Sequence, residues 1–216
     1  MTDCSEKIGF FEECELINYH ISYMEKEGRY KFFEMARNLL SRGYHTEGRL
    51  LLLFGWNSAY LAKLAGKFRL DKFEEALERC KPYFDKLKGE SLQGIRLEDY
   101  ESDIKYIYGT LSKVEEIKST GASKLMCLEN PNLFVMWDNG IREDVYKIKG
   151  KAQEEDYFHF LEIIKEKARH IVWTPQKCDN ITLAKAIDEF NYIKAPEERK
   201  KKQKAKSGQQ RGNKEK

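Results

Sequence analysis

The stretch Leu50-Leu51-Leu52-Leu53-Phe54-Gly55-Trp56 decides the fold class. Over about two helical turns it leaves no polar stripe for solvent, and a helix that is apolar on all sides is buried on all sides. Thr46 and Glu47 supply its start and Gly66 its stop, so it reads as the central element. Helical spacing continues on both sides of it. Ile17, Ile21 and Met24 mark the inner face of a first helix ending near Gly28. Phe32, Phe33, Ala36, Leu39 and Leu40 mark a second ending near Gly43. Phe73, Ala76, Leu77 and Cys80 give another, broken at Pro82. Downstream, Leu97 to Tyr108 is helical with Ile104, Ile107 and Tyr108 inward, and Leu111 to Ile117 forms a short helix. Ser119 to Ala122 reads as a tight turn before a helix over Ala122 to Leu128. Helices follow over residues 138–148, 154–171 and 179–193. Alternating strand patterns are scarce. The expectation is one all-α domain over residues 1–195 and a separate tail over 196–216.

The bulk composition narrows the class. A chain of 216 residues is long enough for a sizeable core, and 35% of its residues are charged. No apolar run approaches the roughly 18 residues of a membrane span, and the first residues lack a basic segment followed by an apolar one. A cytoplasmic location is expected. Cysteines at 4, 14, 80, 127 and 178 are never within CxxC distance, and histidines at 20, 45, 159 and 170 show no ligand spacing. Neither a metal nor a cofactor is expected. The net charge of +3 conceals an asymmetry: residues 196–216 hold nine Lys/Arg against three Glu, while the preceding part holds 30 basic and 33 acidic side chains. The tail is rich in Gln and Gly and lacks large apolar residues, so it is expected to be disordered. It reads equally as a nucleic-acid arm or as a solubilising tail.

Plausible chemistry concentrates in one place. Ser119-Thr120-Gly121-Ala122-Ser123-Lys124 puts a lysine at the head of an apolar helix behind a small-residue turn. Such a turn offers free backbone N–H groups and a positive dipole end to an anion. Asp138 follows 14 positions later, beyond Pro131 and the run Phe134-Val135-Met136-Trp137. Asp138 also has the position of a helix N-cap. Most of the twelve Tyr, twelve Phe and three Trp belong in the core.

Short helix, turn, helix over residues 111–128 is the layout of a helix-hairpin-helix. Gly121-Ala122-Ser123-Lys124 and Met136-Trp137-Asp138, with Arg142 behind them, resemble degenerate forms of two motifs of the helix-hairpin-helix DNA glycosylases, the superfamily of endonuclease III and the 8-oxoguanine glycosylases. In that superfamily the hairpin reads Leu-Pro-Gly-Val-Gly-x-Lys and the second motif Val-Asp-Thr-His-Val. Aligned on the lysine, this chain has Thr120-Gly121-Ala122 in the glycine region, and its lysine-to-aspartate interval is about one turn shorter. The resemblance implies DNA as partner and base excision with abasic lyase chemistry. Lys124 would be the nucleophile and Asp138 the catalytic carboxylate. Thr120, Gly121, Ala122, Ser123 and Arg142 would contact DNA, and Trp56, Asn57, Tyr60 and Trp137 would border the base pocket. The alternative is a helical nucleic-acid-binding or protein-interaction domain that keeps the scaffold without the chemistry.

Overall fold

The computed structural model describes residues 9–28, 30–64 and 66–212; the side chains of 57–61, 177 and 205–212 lie outside the described set. Among the described residues the chain is all-α, with eight α-helices: α1 (Glu13–Lys26), α2 (Tyr30–Ser41), α3 (His45–Leu64), α4 (Leu70–Lys86), α5 (Glu101–Ser112), α6 (Lys118–Glu129), α7 (Glu154–Ala168) and α8 (Leu183–Gly212). Short 3-10 turns lie at Leu97–Tyr100 and Pro175–Lys177, and a wide π turn at Ile141–Val145. No described helix is long and apolar enough to cross a membrane.

The leucine run sits in α3, and its apolar surplus is spent on two neighbours rather than on full enclosure. α3 packs against α2 and α6. Leu52 and Leu53 are fully buried, whereas Phe54 remains 44% exposed. Two glycines, two turns apart, bring α2 close. A side chain at Gly48 would meet the Ala36 carbonyl oxygen at 2.7 Å, and one at Gly55 would meet the Phe32 ring at 2.6 Å. Gly121 does the same for α6, with Leu53 of α3 3.3 Å from where its Cβ would stand.

Four expectations need correction. The inner face of α1 is Leu16, His20 and Tyr23, and Ile21 is 52% exposed. An ion-paired histidine takes an inward position that an apolar count cannot assign. Pro82 does not end α4, which continues to Lys86; its missing N–H costs one ladder bond near the end of the helix. Leu111 and Ser112 end α5 and the turn before α6 spans residues 113–117, so no separate short helix covers 111–117 and Ser119 to Ala122 is already helical. Finally, helix continues past Pro196 to Gly212 instead of giving way to a disordered tail from residue 196. Arg199 and Lys202 of this extension bind Asp144 at 3.0 and 2.8 Å, giving a basic segment contacts that its composition does not reveal.

An aromatic cluster fixes the segment leading to Asp138. Tyr108 and Tyr157 stack with centroids 4.5 Å apart, and Trp137 sits edge-on to both. Trp137 Nε1 donates to Tyr108 Oη at 3.0 Å, and Tyr157 Oη donates to the Val135 carbonyl at 3.0 Å. Both polar tips of these buried rings are thus satisfied, as buried Tyr and Trp require.

Candidate active site

The site begins with Ser123. Its buried hydroxyl accepts the Trp137 N–H at 3.1 Å and has the Trp137 and Thr120 carbonyls within donating distance, each at 3.1 Å. The residue before Lys124 is therefore fixed to the residue before Asp138. Lys124 is only 7% exposed, and its Nζ lies 5.6 Å from the centre of the Trp56 ring, a cation–π distance. Asp138 is exposed, and its Oδ1 accepts the Ile141 N–H at 2.8 Å. That bond caps the π turn that follows.

Lys124, Asp138, Trp56 and Trp137 line one pocket, completed by Tyr23, Met136, Ile141, Asp188 and Tyr192. Its volume is about 40 Å³. This is close to the share of liquid volume of one water, ~30 Å³. Two residues widely separated in sequence from the motif, Tyr23 of α1 and Tyr192 of α8, stand edge to face with centroids 5.5 Å apart. Tyr192 Oη donates to Glu27. The side chains of Asn57 and Tyr60 lie outside the described residues.

The residues expected to contact DNA do not form an exposed cradle. Gly121, Ala122 and Ser123 are buried within α6, and Thr120 is half-buried. The physical reason is the earlier turn: the small residues let α6 lie close to α3 and to Trp137. Arg142 is also buried. Its guanidinium donates to the carbonyls of Gly150 at 2.9 Å and Ile148 at 3.3 Å and pairs with Glu143 at 2.5 Å. It holds the loop after the π turn closed.

Behind the pocket runs a buried charged chain. Lys185 Nζ is 2.8 Å from Asp188 Oδ2 and 3.4 Å from Glu189 Oε1, and it lies over the Tyr23 and Phe33 rings at 5.1 and 5.2 Å. His20 Nδ1 is 2.5 Å from Glu189 Oε2, and its Nε2 is 3.1 Å from Asp179 Oδ2. Carboxylates at both ring nitrogens favour the charged form of His20, which donates from both. The hydrogen bond that His20 donates to Glu189 raises its pKa against the opposing effect of burial. Burial raises the Asp188 carboxyl above its usual range, while Lys185 and Lys124 oppose the rise. Burial works against the charge of Lys185, yet Asp188 and Glu189 together hold it well above the ordinary lysine value.

Sequence reasoning missed Tyr23, Asp188 and Tyr192. The available signal was the run Lys185, Asp188, Glu189 at i, i+3, i+4 within the register of Leu183, Ala186, Ile187 and Phe190, where charges coincide with an inward face. No protein-family model, curated protein or solved structure matches this chain.

Proposed function

We propose that this protein is a DNA glycosylase with abasic lyase chemistry, in which Lys124 is the nucleophile and Asp138 the electrostatic partner. One observation carries the reading: a lysine and an aspartate 14 residues apart share a single pocket with Trp56. Removal of a lysine amine from bulk water is one of the ways covalent catalysis activates it, which supports this reading.

In the reaction, the Lys124 Nζ lone pair forms a bond to C1′ of the sugar. The bond from C1′ to the base breaks, its electron pair leaving with the base. Positive charge grows on the sugar ring as that bond lengthens, and the Asp138 carboxylate stabilises it across a short distance. One Nζ proton goes to the departing base and the other to the ring oxygen as the ring opens, leaving an imine; loss of a C2′ proton then expels the 3′ phosphate with its carbon–oxygen bond pair. A base has to be turned out of the duplex to reach Lys124. The pocket of about 40 Å³ is closed to a base, so binding entails displacement of a wall.

Borohydride trapping tests this directly. The wild-type chain is expected to give a covalent adduct with a duplex carrying an abasic site, and Lys124→Gln none. Absence of a wild-type adduct across abasic and damaged-base duplexes overturns the proposal. On a damaged-base duplex, where the base–sugar bond has still to break, Asp138→Asn is expected to trap about 10²–10³-fold more slowly, the usual cost of one lost electrostatic contact at a reacting centre.

A further inference from the structure

We infer that Asp188 is a positioning residue for Lys124, whose proton it takes and returns, so that Asp138 is left to act on the sugar. This rests on the glycosylase reading above. The two carboxylates that share the pocket differ in their surroundings. Asp138 is exposed to water and commits one oxygen to the Ile141 N–H. Asp188 is buried, projects from α8 into the same pocket as Lys124, and is within electrostatic reach of it. A buried carboxylate is costly unless it is paired, and Asp188 is paired with Lys185 at 2.8 Å.

The arrangement behind Asp188 lets it change charge. Lys185 has a second carboxylate, Glu189, 3.4 Å away, and Glu189 is itself held by His20 at 2.5 Å. When Asp188 is ionised, Lys185 balances it and His20 balances Glu189. When Asp188 is protonated, Lys185 turns to Glu189 and no buried cation is left without a partner. Moving one proton from Lys124 to Asp188 therefore leaves the total charge of the buried set unchanged in both states.

On an abasic site the step balances as follows. Ammonium Lys124 gives a proton to the Asp188 carboxylate, and the freed Nζ lone pair adds to the C1′ aldehyde. The resulting carbinolamine loses its hydroxyl as water, taking the proton back from Asp188, and the C1′=Nζ imine remains. Borohydride then supplies the hydride that fixes it. The groups facing Asp188 are Lys185, Glu189 and Tyr192 of α8, Lys124 and Cys127 of α6, Tyr23 of α1, Tyr157 of α7, and Asp138 and Trp56 at the pocket.

The test is single-turnover borohydride trapping on an abasic duplex as a function of pH, with DNA affinity measured in parallel. Abasic DNA removes base recognition from the comparison. Asp188→Asn is expected to slow trapping about 10²-fold at neutral pH, the size of a lost proton-transfer group. Its rate should climb continuously toward alkaline pH, because solvent must then take the proton, while affinity stays unchanged. Asp188→Glu should recover at least about tenfold, a response that a purely structural role does not give. If the wild type traps and Asp188→Asn traps at the same rate with the same profile, this inference fails and the glycosylase reading stands. If the wild type does not trap, both fall. Should Asp188→Asn lose its helical circular dichroism, Lys185→Gln carries the test. Removing the cation that holds the Asp188 pKa down must move the acid limb of the profile to higher pH, and an unmoved limb overturns the inference.

Discussion

Ser123 Oγ stands 3.1 Å from the amide nitrogen of Trp137, so a single hydroxyl ties the middle of α6 to the segment bearing Asp138. Replacing it with a methyl leaves a buried N–H without a partner, which costs about 1–3 kcal/mol. Ser123→Ala is expected to lower the melting temperature by about 2–4 °C for each kcal/mol lost in a chain of this size. Because the lost bond joins the neighbours of both reacting groups, borohydride trapping should fall even where the variant remains folded. A thermal melt and a trapping rate on the same sample check both parts.

Gly48→Ala sets two effects against each other. Alanine improves helix propensity by about 1 kcal/mol. The added Cβ, however, would lie 2.7 Å from the Ala36 carbonyl oxygen, a backbone atom that moves only if α2 moves. Overpacking of this kind costs about 1–3 kcal/mol, so the variant should be less stable than the wild type. A denaturant midpoint at or above the wild-type value contradicts the close α2–α3 contact.

His20 gives a pH dependence with a definite sign. Its pKa is raised in the folded state, chiefly by the hydrogen bond it donates to Glu189. The stabilisation is thus fully present below the unfolded value of about 6.5 and is lost as pH rises through the raised folded value. Unfolding followed by denaturant at several pH values should show stability declining through that window. In His20→Gln, which keeps a donor without a titrating proton, the slope should flatten.

Arg142→Gln separates a scaffold role from a DNA role. The guanidinium spans the Ile148 and Gly150 carbonyls, so its loss should reduce stability by about 1–3 kcal/mol. The dependence of DNA affinity on salt should stay the same, whereas loss of a phosphate contact lowers that slope by about one.

Asp144 is the anchor of the α8 extension, bound by both Arg199 and Lys202. These pairs lie at the surface, where each contributes no more than about 1 kcal/mol and is weakened by salt. Asp144→Asn, or the wild type in molar salt, should be cut by trypsin several-fold faster around Lys200 and Lys201. An unchanged cleavage rate would mean that the extension is held in some other way.

Hydrophobic spacing was enough to read the helical class and the existence of nearly every helix, because Phe73, Ala76, Leu77 and Cys80, or Ile104, Ile107 and Tyr108, repeat at the helical period whatever they pack against. Its limits appear where a polar group takes an inward position. His20 rotates the face of α1, and Lys185, Asp188 and Glu189 are buried because they neutralise one another across elements, which no local window contains. At the site, Lys124, Asp138, Trp56 and Trp137 line one pocket. The small residues before Lys124 suggested an open turn, and they serve instead as the smooth surface on which α3 lies. Glycine and alanine report close approach without saying to what.

The two tyrosines of the pocket wall come from the first and the last described helices, and Glu27 of the α1 terminus is joined to Tyr192 across 165 positions. During synthesis, therefore, a chain that has emerged through α7 possesses Lys124, Asp138 and Trp56 but lacks the part of the wall that Asp188 and Tyr192 supply. The pocket around Lys124 is completed only when α8 packs against α1.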